Sequence, residues 1–413
     1  MTARGIPVLL VAGMVIDALG SGMTAPFILT VGHLLVGLSL PVTGLAAAAG
    51  ALVGIIGGPL AGAAVDRFGP ARTVVAANLI CALGNVGLLL AQDAIAFGIA
   101  SGVCAFAVRA FYAAFAPLVS SLARPEDRET WFGLLRAARN IGLAVGGGLA
   151  SVAMLAGEHT GLRLILASDA GSYLLAATLI TLAARSAMPA WQRPATTTAP
   201  TGYAAALADR ANAVLALLNV ACTVVATTAL LAMPVYVLDR FPGALWLPGV
   251  LTATVSTVLT LMVAVAPRLS AGRRRLRILA FCATLWAAGG VVLTLAGLIP
   301  PVAGIALLLL AAVLLGLAEA LYAPTADALP LYLAPPGQAG RYSALHQLAW
   351  GVASVAGPLL AGGLSALDPG AVWPVLATVA LGTAVAYTAL GPRLGHRAGR
   401  AGTTENDRVA EPA

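Results

Sequence analysis

Long apolar runs broken by short polar interruptions dominate the chain. A helix needs roughly 20 predominantly apolar residues to cross about 30 Å of hydrocarbon. Twelve stretches qualify: 6–29, 42–65, 73–92, 94–121, 133–156, 163–185, 212–237, 244–267, 277–299, 301–325, 342–366 and 371–391. Within them apolar residues follow one another continuously. A membrane β-barrel would instead alternate apolar and polar positions. The expected fold is an all-α membrane protein with 12 transmembrane helices.

The interruptions divide the chain. The longest internal one, Arg185 to Arg210, is rich in Ala, Thr and Pro (Pro189, Pro194, Pro200) and reads as a flexible linker. It separates an N-terminal six-helix bundle (1–185) from a C-terminal one (212–392), with the linker at 186–211 and a polar, disordered tail at 393–413. The halves repeat weakly. A shift of 210 residues lays "RAFYAAFAP" over "EALYAPTAD", so that Arg109 falls on Glu319 and Tyr112 on Tyr322. Two pseudo-symmetric bundles are expected, an arrangement common among transporters.

Composition sharpens the picture. Charged residues make up 9% of the 413 and hydrophobic residues 60%, too little charge to cover a soluble particle. The net charge of +7 reads as basic loops on one membrane face, with no implication of nucleic acid. All but three of the 23 basic residues lie on one side if the N-terminus is cytoplasmic, Arg136 and Arg139 among them. Arg163 and Arg240 fall outside, and Arg109 falls within a span. The positive-inside rule then puts both termini in the cytoplasm of a multi-pass protein of the cell membrane. Cys81, Cys104, Cys222 and Cys282 sit in apolar runs without CxxC spacing, so metal and disulfide roles are not expected. Trp246 and Trp373, at outer helix ends, read as interfacial anchors.

A charge at mid-bilayer costs at least about 2.5–3.5 kcal/mol, so charges inside spans are candidates for function. Four are found: Asp17, Arg109, Asp169 and Glu319. Asp17, mid-helix 1, suits proton binding and release. Arg109 cannot deprotonate and must pair or face water, beside a carboxylate whose proton it helps to set. Glu319 is either a second proton site or a helix-end residue, and Asp169 reads as structural, close to Ser172. Asn219, Thr223 and Thr227 form a single stripe at i, i+4 and i+8 on helix 7. With Tyr112 and Tyr322 they are candidate cavity-lining residues. His346 reads as packing.

The loop "GAAVDRFGPARTVV" after the second span resembles the signature loop of the major facilitator superfamily, with Gly62, Asp66, Arg67, Gly69 and Arg72 at its positions and Pro70 where a basic residue is usual. The resemblance implies a cytoplasmic gating loop. Asp66 would cap helix 11 near Tyr342, and Arg67 would pair with Glu126, Asp127 or Glu129. Arg109 matches the buried arginine of helix 4. Gly133, Gly142 and Gly146 in helix 5 are similar to the glycine motif of drug-exporting members, with Gly147 in place of the usual proline.

The superfamily resemblance implies a monomeric secondary transporter that rocks two halves around a midplane site, coupled to protons through Asp17, Arg109 and Glu319. Export of a drug-like molecule or metabolite is the first expectation. A proton-coupled uptake symporter for a sugar, amino acid or organic anion is the alternative. An integral membrane enzyme is the further one, but no nucleophile–base set or second acidic cluster supports it. No GxxxxGK[ST] loop is present, so ATP is not the expected energy source. No cofactor is expected, and the partners are protons, a small molecule and the bilayer.

Overall fold

A computed structural model describes residues 8–122, 128–187, 208–263, 265–335 and 339–398. Every long element among them is a helix. Ten helices are long and apolar enough to cross a membrane. They are α1 (Val8–Leu35), α2 (Leu40–Phe68), α3 (Pro70–Leu90), α4 (Ala94–Leu122), α6 (Glu158–Ala187), α7 (Arg210–Arg240), α9 (Arg275–Ala296), α10 (Pro301–Leu333), α11 (Ala339–Leu367) and α12 (Val372–Ala398). Two more occupy the remaining expected spans. α5 (Arg128–Met154) carries too many polar residues for that standard, and α8 (Leu247–Met262) has 16 residues, about 24 Å at 1.5 Å per residue. A short helix, Ala266–Ser270, follows α8.

The chain forms two compact units. The first is Met1–Thr198 with Leu230–Ser256 and Pro358–Pro369; the second is Ala199–Ala229, Thr257–Gly357 and Gly370–Ala413. In the first, α1 packs against α5 and α6, α3 against α4 and α6, and α2 against α4. In the second, α9 packs against α10 and α12. Trp373, expected at the interface, is instead fully buried. Most of the linker and the end of the tail (188–207 and 399–413) lie outside the described residues, as do Glu126 and Asp127.

The turn between α2 and α3 shows why its glycine is there. Gly69 has φ +87°, a conformation that costs a residue with a Cβ. Its N–H donates to Val65 O (2.8 Å), its carbonyl accepts the Thr73 hydroxyl (2.9 Å), and Pro70 opens α3. Gly62 has open space where a Cβ would sit.

Candidate functional site

The first unit builds its polar centre by letting two helices approach closely. A Cβ on Gly142 of α5 would lie 2.9 Å from the Ala18 Cβ of α1, and one on Gly146 would collide with the Leu19 carbonyl. Small residues at these positions let α5 lie against α1. Arg139 precedes Gly142 by three residues and Gly146 by seven, so it shares their face. Its Nη1 donates to Asp17 Oδ2 in an ion pair. Asp17 is only 3% exposed. The guanidinium also lies over the rings of Phe111 (4.6 Å) and Tyr112 (5.7 Å) of α4.

The cation beside Asp17 is therefore Arg139, which the sequence places among the cytoplasmic arginines. Arg109 is half-buried, one turn before Tyr112 on α4. Tyr112 is 59% exposed, so its ring edges the cluster. An arginine three residues before a glycine that contacts α1 is the signal that identifies Arg139. Its neighbour Arg136 makes the segment look like a loop.

Asp169 of α6 joins the same cluster at 1% exposure. The absence of a side chain at Gly20 makes its space, because a Cβ there would collide with Asp169 Oδ1 and Ser172 Oγ. Ser172 donates to the Asp169 carbonyl at 2.8 Å, with its hydroxyl 3.5 Å from Oδ1. Thr24 of α1 and Asn85 of α3 lie beside the carboxylate. The Ser21 hydroxyl donates to Asp17 O (3.0 Å) and so accepts from Tyr173 OH (3.0 Å). Asp169 Oδ1 lies against α1 at Gly20, one turn along that helix from Asp17. Two buried carboxylates thus lie along one stretch of α1, and the guanidinium pairs with Asp17.

The second unit carries a separate buried network. Tyr322 OH donates to Asn219 Oδ1, and Asn219 Nδ2 donates to His346 O at 3.0 Å. The Thr223 hydroxyl lies 3.0 Å from Asn219 O and 3.3 Å from Ala349 O. Trp286 meets the Tyr322 ring edge-on at 4.9 Å. His346, read from the sequence as a packing residue, lies beside this network. Its ring is buried and neither nitrogen has a hydrogen-bond partner among the described residues. Thr227 belongs less to this network than to a helix contact, its Cγ2 lying 2.7 Å from where a Cβ on Gly357 would sit. Glu319 is half-buried and engaged.

Asp66 and Arg67 are exposed at the end of α2, the Arg67 guanidinium 5.2 Å from the Phe68 ring centroid. Two of Arg67's expected partners lie outside the described residues. Tyr342 donates to Asp209 Oδ2 at 2.9 Å. Gly133 meets open space, so of the helix-5 glycines Gly142 and Gly146 alone serve close packing against α1.

Residues 10–296 match the model of the Major Facilitator Superfamily. Among curated proteins none matches the chain in sequence. The fold is similar to that of solved transporters. One is a peptide transporter crystallised with sulfate (14% identity, 97% of this chain and 98% of that one, TM-score 0.73). Another is the nucleoside transporter NupG, as its D323A mutant (14% identity, 92% and 99%, TM-score 0.75). A third comes from work on proton dependent oligopeptide transporters (14% identity, 93% and 98%, TM-score 0.71).

Proposed function

The chain belongs to the Major Facilitator Superfamily, and from that premise we propose that it couples proton movement through Asp17 to the export of a small molecule. As a superfamily member it is a multi-pass membrane transporter, not an enzyme. In this reading α5 and α8 complete twelve spans in two repeated halves, residues 1–185 and 212–392, with both termini in the cytoplasm of a cell-membrane protein.

The observation that carries the proposal is the buried cluster of Asp17, Arg139 and Asp169. Two carboxylates and one guanidinium leave one negative charge without a counter-charge. In a low-dielectric interior that is costly, and a proton removes it. A proton held here is available for exchange whenever the cluster opens to water. Arg139 stays charged throughout, so a proton arriving on Asp17 releases its ion pair and a proton leaving restores it. Asn219, Tyr322, Thr223 and His346 supply uncharged donors and acceptors for polar groups of a drug-like molecule or metabolite. Arg109 and Glu319 set the local field. The loop of Gly62, Asp66, Arg67, Gly69 and Arg72 serves as the cytoplasmic gate.

Uptake by symport is the second reading. It is favoured by Gly133, where a Cβ would meet open space among the described residues, so the helix-5 glycines support helix packing without requiring export.

The test is an imposed pH gradient in everted membrane vesicles, followed with a pH-sensitive dye while cationic drugs, peptides and nucleosides are added in turn. Export by antiport predicts that one class collapses an acid-inside gradient, and that Asp17→Asn abolishes the collapse while the protein still inserts. A compound driven inward by the gradient in right-side-out vesicles establishes symport instead. Coupling retained in Asp17→Asn removes the assignment.

A further inference from the structure

The chain between α8 and α9 turns through Gly272 (φ +70°) into four arginines, Arg273, Arg274, Arg275 and Arg277. One of them belongs to the fold. Arg275 is buried, with its guanidinium 3.4 Å from the centroid of the Tyr332 ring. Arg273, Arg274 and Arg277 are different. All three line a cavity of about 740 Å³, and their side chains make no ion pair or hydrogen bond among the described residues. Ser270 lines the same cavity. Its hydroxyl is buried and likewise has no hydrogen-bond partner among the described residues. The cavity is also lined by the apolar residues Ile278, Phe281 and Leu321.

Three exposed guanidinium groups without an ion-pair partner among the described residues, together with a buried hydroxyl likewise unpartnered, line one cavity and suit an oxyanion. The guanidinium fork matches the oxygens of a phosphate, and the serine hydroxyl is one more donor. The apolar lining selects among phosphates, since an inorganic ion gains nothing from Phe281 and Leu321 whereas an acyl chain does. We propose that this cavity binds the headgroup of an acidic phospholipid, with the start of an acyl chain against Ile278, Phe281 and Leu321. Basic pockets at membrane-facing helix ends suit such lipids. The inference stands on the second unit alone and does not depend on the transport reading.

The test uses the full-length protein purified in neutral detergent, with its thermal unfolding midpoint followed as phosphatidylglycerol, phosphatidylcholine or inorganic phosphate is added. Phosphatidylglycerol should raise the midpoint in a saturable way, as any ligand of the folded state does, and phosphatidylcholine should not. Each Arg→Gln change at 273, 274 or 277 should weaken the apparent affinity about five-fold. The triple R273Q/R274Q/R277Q should weaken it about a hundred-fold. If the triple variant does not fold, single R274Q and the wild-type lipid series decide. Equal effects of the two lipids, or an unchanged affinity in folded variants, overturn the proposal. Inorganic phosphate as effective as phosphatidylglycerol overturns the lipid assignment in favour of a free anion.

Discussion

Removing Arg139 tests whether its pair with Asp17 organises the first unit. In Arg139→Gln the Asp17 carboxylate, 3% exposed, loses the cation that donates to it. Breaking a buried ion pair by removing one partner costs about 3–5 kcal/mol, because the other charge is left uncompensated. The lost contact with the Phe111 ring at 4.6 Å adds about 0.5–2 kcal/mol. Asp17→Asn alone strands the guanidinium and falls in the same range. The double variant, with neither charge present, should lose only the ring contact and some hydrogen bonding, about 1–2 kcal/mol. The two single changes are therefore strongly non-additive, with a coupling energy of at least about 4 kcal/mol. Denaturant unfolding of the four proteins in detergent micelles measures it. A coupling energy below about 0.5 kcal/mol, the scatter expected of independent sites, would refute the pair as the organising contact.

Other expectations follow from the same geometry. Gly146→Val places a side chain against the Leu19 carbonyl and should cost about 1–3 kcal/mol. Gly133→Ala, with open space around it, should be neutral or gain up to about 1 kcal/mol of helix propensity; thermal unfolding of both separates the two roles. Tyr322→Phe leaves the buried Asn219 Oδ1 without its donor and should cost about 1–3 kcal/mol, while cargo affinity falls if the network binds cargo. Arg240 bridges both carboxylate oxygens of Asp368 at 2.7 Å, but their side chains are 39% and 49% exposed. Asp368→Asn should thus cost at most about 1 kcal/mol, and the difference should shrink in high salt.

Run length made the long helices legible, since crossing hydrocarbon imposes it directly. α5 and α8 are the exceptions, one too polar and one too short by length and composition. The placement of Asp17 in the interior was legible because a carboxylate in a twenty-residue apolar run must find a partner there. Arg139 was not. It lies among Arg128 and Arg136 at the polar end of α5, and only the approach of Gly142 and Gly146 to α1 brings it into the interior. The nearness of Asp169 to Ser172 was legible from their spacing, whereas its contact with Gly20 of α1 was not, because the two are distant in the chain. The signature loop is readable at Gly69, where a positive φ requires the residue. Trp373 looked like an anchor residue because the sequence does not reveal which helix covers it.

The most direct measurement of the central claim is cargo-dependent proton movement in proteoliposomes, using a compound found in the vesicle panel and comparing wild type with Asp17→Asn. The account predicts that protons move in wild type only when cargo is present, and that Asp17→Asn is folded, reconstituted and silent to protons. Proton movement in Asp17→Asn equal to that of the wild type would contradict it.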